Sequence, residues 1–484
     1  MDLEAVIGLE IHAQVSTKTK LFCRCDNDSW DKEPNVNVCP VCMGFPGQLP
    51  VINKMAVEKS IKAALALNCS IPEFCKFDRK NYFYPDSPKG FQISQYDEPI
   101  SKGGWVEIDV PAADGANAYR MKIGITRLHL EDDAGKLTHI SNGSLVDFNR
   151  TGTPLMEIVS DPDMHSALEA STYAREIQKI VRYVGSSEAD MEKGMMRFDA
   201  SVSLRPKGED KLYPRAEIKN LNSFKALENA IAYEIKRQEV LWEEGNVMKS
   251  PVTVGWDTEK GQTFFMRDKE ESDDYRYFPE PDIPPLAVDA ATVEKYRAEI
   301  PELPDVKKKR YMEGFELKED DARIISEDLK LARYFEEVVA VSGDAKRAVS
   351  FINTILMKYL RDELIEVDQQ KVTAKMMGEL IKLVADGSIS NNVAKGEVFE
   401  EMYASGKSAE EIVTEKGLKQ VSDTGAIEEA CRKVIAENAG PVADVKEGKE
   451  KAIGFLVGKV MAEMKGQGNP QIVNELIRKI IAES

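Results

Sequence analysis

Val6-Ile7-Gly8-Leu9-Glu10-Ile11-His12-Ala13-Gln14-Val15 alternates with a period of two, which sets Ile7, Leu9, Ile11 and Val15 on one face of a strand and Glu10, His12 and Gln14 on the other. One apolar face calls for a sheet with something packed on it. A carboxylate and an imidazole two residues apart point into one space, as a metal site or an acid/base pair needs, although a solvated strand face has the same pattern. Outward from this run, residues 1–292 hold short β-favouring runs among Gly and Pro, with a few helices, so an α+β domain is expected. Ser166 to Glu169 reads as a capping box, and Leu168, Tyr173, Ile177, Val181 and Val184 follow at helical spacing. Phe224, Leu227, Ile231 and Ile235 mark a second helix.

Prolines then cluster at Pro279, Pro281, Pro284, Pro285, Pro301 and Pro304, and proline breaks regular structure, so a domain boundary is set at 292/293. Beyond it the chain reads as all helical, in segments such as Ala345 to Val367 and Gln370 to Ala385. A Ser/Gly/Lys stretch near Ser405 to Ala409 separates a helical domain, 293–406, from a C-terminal tail, 407–484. In the tail, Phe455, Leu456, Val460 and Met464 form an apolar stripe read as core, and Gly454 and Gly458 are expected to permit close helix approach.

Among 484 residues, 83 Asp plus Glu stand against 65 Lys plus Arg, a net charge of −18. That excludes a generally basic nucleic-acid coat and leaves any RNA partner to local basic patches. With 42% hydrophobic and 31% charged residues the chain is globular rather than disordered. No run approaches the roughly 20 apolar residues of a membrane span, and Met1-Asp2-Leu3-Glu4 does not open a leader peptide, so a cytoplasmic location is expected.

Four of the seven Cys form two close pairs, Cys23-x-Cys25 and Cys39-x-x-Cys42, which points to four thiolates on one structural zinc ion; the bland alternative is four small buried hydrophobes. Cys69, Cys75 and Cys431 read as packed and inert. Arg127-Leu128-His129-Leu130-Glu131-Asp132-Asp133 concentrates carboxylates suited to a hard cation, or forms an acidic turn. Thr153 to Val159 sets Glu157 inside an apolar run, where a lone carboxylate needs a cation or several donors. Oxygen ligands suit Mg²⁺, and imidazole among them also suits Mn²⁺. Asp78 to Gln95 interleaves basic and aromatic residues, which serves phosphates and bases or merely a loop. There is no G-x-x-x-x-G-K-[ST], no G-x-G-x-x-G and no H-E-x-x-H, so any ATP site is not of the P-loop kind.

Taken in order, Gly8 to His12, Cys39 to Cys42, Asp78 to Gln95, His129 to Lys136, Asn149 to Val159, Glu217 to Phe224, Tyr275 to Pro279, Gly454 to Gly458 and Asn469 to Gln471 resemble the GatB family of tRNA-dependent amidotransferase subunits nearly end to end. The resemblance implies a cradle domain with a glutamine-synthetase-like catalytic fold, a helical domain and a YqeY-like tail. It implies a ligase that forms a carbon–nitrogen bond: ATP phosphorylates the side-chain carboxylate of Glu-tRNA(Gln) or Asp-tRNA(Asn), and ammonia from glutamine, hydrolysed in the GatA subunit of a heterotrimer with GatC, displaces the phosphate. Mapped onto matching positions, the family's metal site implies Glu10, His12, Glu131 and Glu157, with Asp132 beside them, holding Mg²⁺ (Mn²⁺ being possible), while Lys89 and Arg150 are candidate phosphate clamps that also bind ATP. Lys446, Lys449, Lys451, Lys459, Lys465, Arg478 and Lys479 are candidate tRNA contacts. The chain departs from the family pattern at Ser87, Phe198 and Asp274. Two other readings use fewer of these residues: a ligase amidating a small free carboxylate, and a non-catalytic zinc-containing RNA scaffold.

Overall fold

A computed structural model describes residues 2–113, 115–268, 272–419, 424–446, 450–464 and 470–483. The opening alternating run becomes strand β1, Leu3–Gln14. Seven further strands complete one sheet: β2 Gly104–Val110, β3 Tyr119–Asp132, β4 Pro154–Ser160, β5 Met196–Pro206, β6 Ala216–Leu221, β7 Val252–Asp257 and β8 Gln262–Asp268. Their spatial order is β8-β7-β6-β5-β1-β4-β3-β2, antiparallel throughout except for the parallel pair β6/β7. The decisive strand thus lies in the middle of the sheet, paired on both edges.

Helix α1, Lys54–Ala66, α2, Ala167–Tyr183, and α3, Phe224–Glu243, supply the cover that the apolar strand face demands. Ile7, Leu9 and Ile11 share one core with Ala64, Tyr173, Ile177, Leu227 and Ile231. Ser166 caps α2 as its sequence predicts, accepting from the Glu169 amide at 3.2 Å. The reciprocal arm of the box differs: the Glu169 carboxylate accepts from the His165 amide at 2.6 Å and from the Tyr119 hydroxyl at 2.6 Å. Ser223 caps α3 in the same manner, accepting from Ala226 at 3.1 Å.

On β3 a bulge between Ile125 and Arg127 resets the alternation. Ile123 and Ile125 before it and Leu128 and Leu130 after it are all in the core, so Arg127, His129 and Glu131 take the opposite face. A small three-stranded sheet, Asp78–Asn81 with Phe91–Ser94 and Phe278–Pro279, carries the basic and aromatic run.

The chain divides into two compact units at Leu303/Pro304. The first unit's core runs on to Tyr296 and takes in Leu303, because helix Ala290–Glu299 packs there, beyond the proline cluster's expected edge at 292. In the second unit, helices from Pro304 to Glu415 share one core and those from Thr424 to Glu483 another. Ile412 and Val413 belong to the earlier of these cores, so the helical domain includes residues past 406. The expected helix from Ala345 to Val367 stops at Glu363, where Leu364 turns left-handed at φ 54°. In the tail, Leu456 and Val460 are buried as expected, but Phe455 is 48% exposed. A Cβ on Gly454 or Gly458 would meet nothing within 4 Å, so these glycines serve no close helix approach among the described residues. No helix among the described residues is long and apolar enough to cross a membrane.

Candidate active site and metal centres

Cross-strand register, rather than proximity in sequence, assembles the polar face of the sheet. His12 on β1 lies directly opposite Glu157 on β4 and Arg197 on β5, and Glu157 lies opposite His129 on β3. One row therefore reads His129, Glu157, His12, Arg197. Two residues along β1, Glu10 lies opposite Asp199, and Glu217 enters from β6 opposite Ser201. Residues two apart on a strand share a face, so both rows look the same way.

Within the first group, His12 Nε2 lies 3.2 Å from a Glu157 oxygen. His129 Nε2 lies 3.6 Å from Glu157 and 3.7 Å from Glu131. His129 Nδ1 accepts from Arg127 Nε at 3.3 Å, which leaves the proton on Nε2, aimed between the two carboxylates. One ligand atom from each of His12, Glu131 and Glu157 lies within 4.8 Å of the others, and all three residues are buried. The buried His12 Nδ1 has no hydrogen-bond partner. Two buried carboxylates beside an imidazole with an unused nitrogen fit a hard divalent cation.

Burial drives the Glu157 carboxyl up, but His129, His12 and Lys80 outweigh it and hold it well below the usual range. Burial likewise opposes Glu131, which is nonetheless lowered by His129 and Lys80. For His12, burial and the Arg197 charge pull downward, while Glu157 and Asp199 prevail and raise it. Lys80, half-buried on strand Asp78–Asn81, is pulled down by burial and raised overall by Glu131, Tyr277 and Glu157. It sits 5.0 Å over the Tyr275 ring, beside the stacked pair Tyr96 and Tyr277.

The second group, Glu10, Asp199 and Glu217, also brings three ligand atoms within 4.8 Å. Lys219 Nζ joins it, 2.8 Å from Asp199 and 3.2 Å from Glu217. Glu10, expected with His12, Glu131 and Glu157, therefore clusters with carboxylates from β5 and β6. Asp132, expected beside the same set, faces the other way from Glu131: it binds Lys89 and accepts from the Ile93 amide at 2.7 Å. Arg150 donates to the carbonyls of Ala134 at 2.9 Å and Gly135 at 2.7 Å, and pairs at 3.4 Å with Asp133. Burial raises Asp133, but Arg150 and Arg197 outweigh it and lower its pKa. Lys89 and Arg150 thus hold neighbouring acids and loop backbone.

Asp199, Glu217, Lys219, Lys80 and Arg197 join the site without having been expected from sequence. A signal for them exists, since Arg197-x-Asp199 and Glu217-x-Lys219 are charged pairs at strand spacing between apolar residues. Phe198, one of the departures, lies on the opposite face, fully buried 5.5 Å from the Phe224 ring.

The cysteines form a third centre. Cys23, Cys25, Cys39 and Cys42 bring their sulfurs within 4.8 Å of one another, and the Cys39 amide donates to Cys42 Sγ at 3.2 Å. Four sulfurs so placed fit a tetrahedral zinc ion without an open position. A cavity of about 210 Å³ adjoins this lobe, lined by Cys23, Cys42, Arg79, Lys89 and Asp132 among others, and not by His12, Glu131 or Glu157. Cys69, Cys75 and Cys431 are buried, their thiols pushed up to about 11 by burial. In the tail, Lys446, Lys451, Lys459, Arg478 and Lys479 are exposed, while Lys449 and Lys465 lie outside the described residues.

Residues 5–294 match the GatB/GatE catalytic domain, and residues 333–481 match the GatB domain. A protein of Carboxydothermus hydrogenoformans is 48% identical across 100% of this chain and 99% of its own length, and one of Moorella thermoacetica is 48% identical across 99% and 100%. A third, from Clostridium tetani, is 47% identical across 99% of each. All three are named as the GatB-type subunit of an aspartyl/glutamyl-tRNA(Asn/Gln) amidotransferase. With a catalytic-domain match over more than half of its residues and relatives of nearly half identity along its whole length, the chain belongs to the GatB/GatE family.

Proposed function

We propose that this chain is the kinase and transamidase subunit of a glutamyl/aspartyl-tRNA amidotransferase, working in the cytoplasm with GatA as glutaminase and with GatC. ATP phosphorylates the side-chain carboxylate of glutamate or aspartate carried on tRNA. Ammonia supplied by the glutaminase then attacks the acyl phosphate, and inorganic phosphate leaves. The observation that carries this reading is the polar sheet face itself, where His12, Glu131 and Glu157 lie beside Glu10, Asp199 and Glu217. Two groups of acidic ligands on a rigid sheet suit a reaction in which a polyanion and a carboxylate must be brought together.

His12, Glu131 and Glu157 are the residues to hold one Mg²⁺ or Mn²⁺, and Glu10, Asp199 and Glu217 a second. When bound, such cations neutralise charge developing on the transferring phosphoryl group. The chain's own residues do the rest. His129 holds the carboxylates of Glu131 and Glu157 in place through Nε2. Lys80, Arg197 and Lys219 border the acids with fixed positive charge, which offsets their mutual repulsion and offers donors to phosphate oxygens. Lys89 and Arg150, through Asp132 and Asp133, stiffen the floor on which an ATP phosphate would rest. The cysteine lobe is a structural zinc site, and exposed tail cations at Lys451, Lys459 and Arg478 serve the tRNA backbone, as Lys449 and Lys465 would.

The test is glutamine- and ATP-dependent amidation of Glu-tRNA and Asp-tRNA by the heterotrimer, comparing wild type with His12→Ala and Glu157→Gln. Loss of amidation in both variants with glutaminase activity retained supports the reading. Full activity in both moves the chemistry off this face and leaves a tRNA-binding scaffold.

A further inference from the structure

Lys20 is 0% exposed, among the largest fully buried side chains of the chain. Its ammonium meets one backbone carbonyl, that of Asn37 at 2.7 Å, and one sulfur, Cys42 Sγ at 3.9 Å. Among the described residues no carboxylate forms an ion pair with it, whereas the buried Lys307 has Glu336 at 2.7 Å. A buried ammonium without an anion is costly, and four neutral thiols supply none.

The lysine has little freedom to escape. Its amide donates to the Cys25 carbonyl at 3.0 Å, and its carbonyl accepts from Asn53 Nδ2 at 3.3 Å. Its stem runs beside Gly152, whose φ is +86° and where a Cβ would stand 3.5 Å from Lys20 Cδ and 3.4 Å from Cys42 Cβ. The glycine therefore leaves room for stem and cysteine to lie side by side. Four thiolates on a divalent ion carry a net charge of −2, and that supplies the missing anion.

We propose that Lys20 is the built-in counter-charge of the cysteine site: a positioning residue that faces the metal-bound Cys42 thiolate, reduces the buried net charge to −1 and so sets how tightly a zinc-class cation is held. This rests on the zinc reading of the four cysteines and adds to it a residue outside the ligand set. With Lys20 in place, the thiolate is a weaker base and releases its metal less readily to protons and chelators. Partners of this kind, one shell beyond the ligands, typically change metal affinity by about 10- to 100-fold.

The experiment uses the intact heterotrimer in wild-type, Lys20→Met and Lys20→Arg forms. Zinc content and the rate and affinity of zinc transfer to a chromogenic chelator are measured, with the sulfur-to-metal charge-transfer band after Co²⁺ substitution. The expected result is one tightly held zinc per chain in wild type, affinity lowered about 10- to 100-fold in Lys20→Met, recovery toward wild type in Lys20→Arg, and a band moved to lower energy only in Lys20→Met. Unchanged affinity and an unmoved band in Lys20→Met overturn the proposal while the zinc reading stands. A wild-type protein without zinc overturns both. Where Lys20→Met does not yield folded protein, Cys42→Ala and the double variant decide: loss of the thiolate strands the lysine, so adding Lys20→Met to Cys42→Ala is expected to restore soluble protein, and its failure to do so overturns the counter-charge role.

Discussion

The cysteine lobe and the polar face of the sheet are both candidate metal centres, yet they are built in opposite ways. Cys23, Cys25, Cys39 and Cys42 come from one short stretch without long regular elements, and little of the main core stands behind Cys25 and Cys39. His12, Glu131 and Glu157 come from three strands, and each strand's other face is locked into the largest core of the chain. A loop site takes its form from the ion that closes it, whereas a sheet site is organised before any ion arrives. Binding should therefore be felt as stability at the cysteines and as chemistry on the sheet.

The sharpest way to break that contrast is Glu157→Gln, which keeps the shape and removes the charge between His12 and His129. Amidation is expected to fall by about 10²- to 10³-fold, the range for losing one electrostatic element of an active site, with melting temperature and zinc content close to wild type. Unfolding in place of inactivation would show that the sheet site is not preorganised. Next in size is the support behind it: Leu9→Ala, at a fully buried position, should cost about 2–5 kcal/mol in chemical denaturation without changing the residues that face the site. The matching change in the lobe is Cys39→Ser with Cys42→Ser. There we expect zinc loss and rapid proteolytic nicking between residues 23 and 51, with amidation lowered on the order of tenfold. Resistance to nicking equal to wild type would mean that the lobe holds its form without metal.

A smaller effect separates the two regions by pH. Asp133 has a folded pKa below its ordinary value, because Arg150 and Arg197 outweigh burial. Its contribution is thus fully present above the unfolded value of about 3.9 and is lost as pH falls through the lowered folded value. The stability difference between wild type and Asp133→Asn, about 1–3 kcal/mol, should be flat from neutral pH down to about 5 and close below about 4. A difference that instead closes on going above neutral pH would contradict the ion-pair account. Smallest is the tail: Lys459→Glu should weaken tRNA binding about two- to fivefold at low salt and flatten its salt dependence, read by filter binding across a salt series.

Much of this is legible in the sequence because its causes are local. Period-two alternation sets the faces of β1, the Ser residues before α2 and α3 mark their starts, and paired cysteines announce their centre. Glu157 stands out as a carboxylate in an apolar run, and the structure answers with two imidazoles at 3.2 and 3.6 Å. The stretch after Arg127 is harder, since three consecutive acids invite a single role. The strand sends Glu131 toward His129, Asp132 to Lys89 and Asp133 to the two arginines, and a bulge upstream decides which goes where.

By itself the amino-acid sequence determined the types of element, the chemistry of the available ligands and the family to which the chain belongs, because periodicity, capping and motif spacing are written within a few residues of one another. Only the tertiary structure decided the company each ligand keeps: Glu10 with Asp199 and Glu217, His12 with Glu131 and Glu157, and Lys20 with Cys42. Register and bulges in an eight-stranded sheet are set by long-range pairing and by the burial of the opposite face, and no local pattern carries that information.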